Sequence, residues 1–214
     1  MEKLKIKVCG MRDKANIAAV EKLRPDFLGF IFVKSSPRFV GDDFDLTILK
    51  SIPQQTKTVG VFMNQPAEEV AEIVRRFQFP LVQLHGDEAP EYCQKIKSLV
   101  PGIEIIKCFS VGKSFDIKGI SAFHEMVHYM LFDTAGAARG GTGATFDWSK
   151  LDAYRAHRPF FLAGGLGPEH STALRHIRQK LPMLYAIDLN SRFETSPGIK
   201  SASLLGNFIR EIRA

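Results

Sequence analysis

Cysteine is scarce in this chain. Only Cys9, Cys93 and Cys108 occur among 214 residues, and no two share a CxxC spacing. An odd, sparse set of this kind argues against a disulfide framework and against a structural zinc site, so the thiols are read as reduced. Long apolar runs are missing too. Nothing approaches the roughly 18 residues that a bilayer span needs, and the opening "MEKLKIKVCG" is broken by lysines, unlike a secretory leader. The expectation is a cytoplasmic protein with no membrane association. The net charge is +6, yet no run of five or more Lys/Arg exists and no basic motif is interleaved with aromatics. That pattern speaks for a solvated surface or an anionic small substrate rather than nucleic acid. No low-complexity stretch or Pro/Gly/Ser linker divides the chain, so one domain over residues 1–214 is expected.

What is present is alternation. Short β-rich runs stand at 4–9, 26–33, 57–62, 81–85, 103–109, 129–133, 159–164 and 184–189. Amphipathic runs at 13–23, 66–77, 89–100, 168–181 and the closing "SASLLGNFIREIRA" lie between and after them. Asp13 is placed to cap the first helix. Residues 66–77 open with proline and acids and end in arginines, as a helix dipole prefers. The strand runs are almost continuously apolar, as strands buried on both faces are. About eight strand–helix units in one chain predict an α/β fold, a closed parallel eight-stranded (β/α)₈ TIM barrel, with an open doubly wound sheet as the alternative. Gly29 and Gly60, inside strands, read as packing positions.

In a barrel the chemistry gathers at the C-terminal strand ends. Those ends here carry Cys9, Arg38, Asn64, His85, Asp133, the pair Gly164 and Gly165, and the stretch Asp188, Asn190, Ser191, Arg192. "HEMVH" at 124–128 fits the zincin string, but it runs straight into a strand-like segment, so no metal site is assigned. "RGGTG" at 139–143 is not a nucleotide loop. Paired glycines after strand seven and a polar turn after strand eight match the usual barrel phosphate position.

The strings "KVCG", "SPRFV", "GVFMN", "VQLHGDE", "LFDT", "GGTGATFDW", "FLAGGLGPE" and "SPGIK" follow one another in this order along nearly the whole chain. In that order they resemble the phosphoribosylanthranilate isomerase family of tryptophan biosynthesis. The resemblance implies an Amadori rearrangement of an N-glycosidic aminoaldose to an aminoketose, with no cofactor and no metal. It makes Cys9 the general base and Asp133 the general acid, which must carry a proton. Arg38 would face the anthranilate carboxylate, and His85 would have a supporting or substrate-contact role. The implied phosphate and substrate contacts are Gly141, Gly143, Gly164, Gly165, Asp188, Asn190, Ser191 and Arg192. Without the resemblance Cys9 would read as a small buried hydrophobe, as Cys93 and Cys108 do. One departure stands out: the family's usual "DVSSGVE" reads "DLNSRFE" here, with Arg192 in place of a glycine.

Two other readings compete. Indole-glycerol-phosphate synthase shares the fold, but it relies on strand-end lysine and glutamate, and only Lys7 and Lys107 lie within strands near this mouth. A catalytically dead barrel that binds an anionic ligand or nucleic acid is the other. The partner expected is the small-molecule substrate, and the assembly a monomer or homodimer.

Overall fold

The computed structural model describes residues 3–134, 145–154 and 158–214. Eight strands run β1 (Lys5–Cys9), β2 (Phe27–Ile31), β3 (Lys57–Phe62), β4 (Leu81–Leu84), β5 (Glu104–Val111), β6 (Tyr129–Thr134), β7 (Phe160–Leu162) and β8 (Leu184–Leu189). Each pairs in parallel with the next, and β8 closes on β1 with Lys7 opposite Asp188. Closure excludes the open doubly wound sheet.

Six α-helices stand among the described residues: α1 (Lys14–Glu21), α2 (Leu46–Lys50), α3 (Ala67–Phe77), α4 (Pro90–Leu99), α5 (Ser171–Lys180) and α6 (Ala202–Arg213). Asp13 caps α1 as expected, its carboxylate accepting from the Asn16 N–H at 2.7 Å. α3 carries Glu68 and Glu69 in its first turn and Arg75 and Arg76 in its last, and ends on Gln78 in the left-handed region. The strand–helix repeat is less regular than eight full units. A 3₁₀ segment, Ile117–Phe123, joins β5 to β6, and a second, Trp148–Leu151, precedes β7. Neither stretch has the 3.6-residue apolar stripe that would support an α-helix. The expected helix from 168 begins as a 3₁₀ turn, Pro168–His170, before α5. α2 was not expected, because five residues are too short to display a period. The 124–128 stretch forms no α-helix. His128 Nδ1 instead accepts from the Ile105 N–H at 3.1 Å, so the two histidines share no helical face. Among the described residues no helix is long and apolar enough to cross a membrane.

Strand parity divides the core in two. Outward residues such as Ile6, Val8, Leu84 and Phe132 pack under the helices. Inward residues such as Val59, Leu81, Ile106 and Leu131 fill the barrel. Its lower end is closed by aromatics, with Phe27 against Phe161 at 5.3 Å and Tyr129 stacked on Tyr185 at 5.2 Å. Above these, the inward positions turn polar at Lys7, Gln83 and Asp188, and the mouth begins there. Lys107 has the opposite parity. It points to the outer face, where Nζ meets Glu88 at 3.0 Å and the Gly86 carbonyl at 2.8 Å. It anchors the loop after β4 from behind and is no mouth residue.

Candidate active site

A cavity of about 390 Å³ opens at the C-terminal ends of the strands. Every predicted site residue that lies among the described residues lines it. Gly141 and Gly143 lie outside the described residues.

Cys9 ends β1 and is 4% exposed. The chain then turns on Gly10 at φ +77°. A Cβ there would sit 2.8 Å from Arg38 Cδ and 2.9 Å from Asn190 Oδ1. Two positions earlier, Lys7 is fully buried, with Nζ 2.8 Å from Asp188 Oδ2 and its charge acting on the Cys9 thiol. Burial raises the pKa of the thiol, and Lys7 only partly offsets this, so the thiol lies above its ordinary range. The basic mouth therefore does not lower it, contrary to what a cluster of cations suggests. Lys7 shows the reverse balance. Burial opposes its charge, but Asp188 and Cys9 outweigh burial and raise its pKa. Burial likewise raises the Asp188 carboxyl against the pull of Lys7. Gly29 sits opposite Cys9 in the strand register. A Cβ on it would come 2.8 Å from Cys9 Sγ and 3.2 Å from Lys7 Nζ. Its packing role is thus specific: it makes room for the thiol and the ammonium.

Across the mouth, Asp133 lies in β6. Its Oδ1 accepts from the Thr134 N–H at 2.8 Å, and Oδ2 faces His85 Nε2 at 3.2 Å. Burial disfavours the imidazolium, but Cys108 and Asp133 outweigh it and hold the His85 pKa well above its ordinary value. Gln83, two residues before His85 and of the same parity, places its amide nitrogen 2.8 Å from His85 Nδ1. Its Oε1 is buried without a partner. A half-turn of that amide would present Oε1 to Nδ1–H, so Gln83 can serve either the neutral or the protonated ring.

Arg38 meets a carboxylate, but an internal one. Its Nε donates to Glu194 Oε1 at 2.9 Å and its Nη2 to Oε2 at 2.7 Å. Nη1 takes no partner among the described residues. Glu194 opens a small hairpin, β9 (Glu194–Ser196) and β10 (Ile199–Lys200). Lys200, its side chain fully buried, donates to Glu194 Oε1 at 2.6 Å and to Asn190 Oδ1 at 2.7 Å. One network therefore runs Arg38–Glu194–Lys200–Asn190.

On the phosphate side, Gly164 and Gly165 have φ of +88° and +65°. A Cβ on Gly164 would collide with Thr134 and lie 2.7 Å from Asp133 Oδ1. A 3₁₀ turn, Ser191–Phe193, follows β8. Arg192 extends to Glu169 Oε1 at 2.7 Å, in a pair that is about half exposed.

Lys7, which sequence reasoning weighed only against a rival reading, and Gln83, Glu194 and Lys200, which it passed over, also shape the site. The first two had a signal: each is polar in an apolar strand and lies two residues before a mouth residue. Glu194 and Lys200 stand within motif strings, but no spacing announces their pairing with Arg38.

Comparison with known proteins extends over nearly the whole chain. The family model for N-(5'phosphoribosyl)anthranilate (PRA) isomerase matches residues 6–211. The N-(5'-phosphoribosyl)anthranilate isomerase of Phocaeicola vulgatus is 38% identical over 208 residues, covering 97% of each chain. The crystal structure of phosphoribosyl anthranilate isomerase from Thermotoga maritima superposes with a TM-score of 0.85 at 29% identity over 98% of both chains. Another crystal structure of such an isomerase, in complex with reduced 1-(o-carboxyphenylamino)-1-deoxyribulose 5-phosphate, gives 0.82 at 28% identity, again over 98% of both.

Proposed function

The chain belongs to the N-(5'-phosphoribosyl)anthranilate isomerase family, and from that premise we propose that it converts N-(5'-phosphoribosyl)anthranilate to 1-(2-carboxyphenylamino)-1-deoxyribulose 5-phosphate, a step of tryptophan biosynthesis, with Cys9 as base and Asp133 as acid. The observation that carries this reading is the placement of Cys9 and Asp133. Cys9 ends β1 and Asp133 is the last residue but one of β6, three strands apart by the shorter way round, on the wall of one cavity.

The reaction moves only protons. Asp133 donates a proton to the ribose ring oxygen. The C1'–O bond breaks, and the nitrogen lone pair forms a C1'=N iminium. The Cys9 thiolate then takes the C2' proton, and the released electrons give the neutral enolamine. Tautomerisation to the C2' ketone, with a proton delivered to C1', completes the conversion. Each positioned proton transfer is worth about 10²–10⁴ in rate. Lys7 supports the base, because its ammonium lies against the thiolate that must form. His85 supports the acid, since a protonated ring can return a proton through the Nε2–Oδ2 contact of 3.2 Å.

Recognition is bipolar. Arg38 Nη1 addresses the anthranilate carboxylate, while backbone N–H groups of Gly165 and of residues 190–192 hold the phosphate. Turnover of N-(5'-phosphoribosyl)anthranilate is the test. Cys9→Ala should lose about 10² or more in kcat with KM nearly unchanged. Asp133→Asn should lose turnover while retaining product binding. A Cys9→Ala protein that keeps more than about a tenth of the wild-type kcat, or a fully active Asp133→Asn, would overturn the assignment.

A further inference from the structure

We propose that His85, Cys108 and Asp133 form a three-ligand site for a thiophilic divalent cation of the Zn²⁺ type, and that occupancy of this site switches the acid side of the active site off. The three donors stand side by side on neighbouring strands: His85 directly after β4, Cys108 in β5 and Asp133 in β6. All have the inward parity. One ligand atom from each lies within 4.8 Å of the other two. Cys108 Sγ is 3.7 Å from His85 Nε2, and His85 Nε2 is 3.2 Å from Asp133 Oδ2. Zinc bond lengths of about 2.3 Å to sulfur and about 2.0–2.2 Å to nitrogen and oxygen, at a tetrahedral angle, give ligand–ligand edges of roughly 3.6 and 3.4 Å. The two edges at His85 Nε2, 3.7 and 3.2 Å, already stand within a few tenths of an ångström of those separations, and the third, between Cys108 and Asp133, lies within 4.8 Å, so an ion can enter by side-chain adjustment alone.

Further contacts match what a metal site needs around its ligands. Gln83 touches His85 Nδ1 at 2.8 Å and fixes the ring so that Nε2 faces the other donors. The Thr134 N–H holds Asp133 Oδ1 at 2.8 Å and leaves Oδ2 directed at the site. Because a metal on Nε2 requires a proton on Nδ1, the buried and unpartnered Gln83 Oε1 gains its acceptor role in the metal-bound form. The donor set is one thiolate, one imidazole and one carboxylate. It favours zinc and its neighbours over Mg²⁺ and Ca²⁺, which prefer oxygen. His85 and Asp133 line the cavity, so the fourth position of a tetrahedral ion opens there and takes water or a substrate oxygen. Metal binding removes the protons from Cys108 and from His85 Nε2 and engages the Asp133 oxygen that would donate to the ring.

The test is titration of the purified protein with Zn²⁺ alone, followed by calorimetry and chelator competition, with Mg²⁺ as control. One equivalent should bind, and Co²⁺ in its place should give a thiolate charge-transfer absorption. Cys108→Ser should weaken Zn²⁺ binding by at least about tenfold, the lower end of what even loss of an outer partner costs, and abolish the cobalt band. Cys9→Ser should bind as wild type does. If Cys108→Ser is not folded by circular dichroism, Cys108→Ala takes its place. In turnover assays the ratio of rates with and without Zn²⁺ should fall well below one in wild type and return to one in the Cys108 variant. Zn²⁺ affinity unchanged in the Cys108 variant, lost in Cys9→Ser, or absent in wild type would each refute the site. The switch rests on the isomerase reading, but the site does not: binding is read without substrate, so a failure of that reading would leave the binding result standing, and the reverse also holds.

Discussion

Glu194→Ala would strip the shared carboxylate from two cations buried in the mouth. Arg38 keeps 13% and Lys200 none of its side chain exposed, and Glu194 itself is 5% exposed. After truncation Lys200 retains only Asn190 Oδ1, and Arg38 loses both of its donors' acceptors. Removing one partner of a buried pair costs about 3–5 kcal/mol. In a chain of this length each kcal/mol moves Tm by about 2–4 °C, so a fall of roughly 6–20 °C is expected at neutral pH. The penalty has a ceiling. Burial already lowers the Lys200 pKa despite Glu194, and without that carboxylate the ammonium can shed its proton. The pH dependence has a definite sign. Burial pushes the Glu194 carboxyl up, but Arg38 and Lys200 outweigh burial and hold it below its ordinary range. A depressed acid contributes stability above its unfolded pKa of about 4.3, and that stability is lost as pH falls through the folded value. Thermal unfolding followed by circular dichroism at pH 7 and below pH 4 measures this. The gap between wild type and variant should be wide at the first and narrow at the second. A Tm loss under about 2 °C at pH 7, less than 1 kcal/mol, would refute the reasoning, as would an equal loss at both pH values.

Three further outcomes follow from the geometry. Arg192→Gly should leave inhibition by inorganic phosphate unchanged, because Glu169 already engages that guanidinium; inhibition weakened tenfold, about 1.4 kcal/mol, would place Arg192 in the site. The buried thiol predicts that kcat/KM rises with pH through an inflection above about 8.5, the ordinary thiol value, and an inflection at or below pH 7 would show that Cys9 is not the titrating base. Gly29→Ala should cut kcat by at least about tenfold while the protein stays folded by circular dichroism, since its Cβ would meet Cys9 Sγ at 2.8 Å; unchanged kcat would separate that thiol from the reaction.

The barrel was legible because each strand is a short apolar run and the bounds of β3 and β8 could be read to the residue. Strand ends then located the mouth residues, since they follow from strand positions. What escaped has physical reasons. α2 spans too few residues to show a period, and the 3₁₀ links set their apolar residues three apart, at Ile117, Ile120 and Phe123 and at Trp148 and Leu151, rather than at the 3.6-residue period of an α-helix. The Lys7 and Lys107 pair looked alike in the sequence, yet parity sends one inward and the other behind the sheet. The Arg38–Glu194 contact joins positions 156 residues apart, and no local pattern encodes a meeting of that kind. The thiol shows a similar limit: the burial that raises its pKa, and outweighs Lys7, exists only in the folded barrel.

The Lys7–Asp188 pair also has a consequence for how the protein is made. Its two members are separated by 181 positions, and synthesis at about 5–20 residues per second delivers them roughly 9–36 s apart. For that interval a nascent β1 holds an ammonium whose carboxylate has not been translated. Any early arc of strands that collapsed around Lys7 would have to bury an uncompensated charge, at a cost of several kcal/mol. Burial of β1 with Lys7 charged is thus disfavoured until the strand that carries Asp188 has been made, and the contact that closes the barrel, β8 on β1, is also the one that compensates this charge.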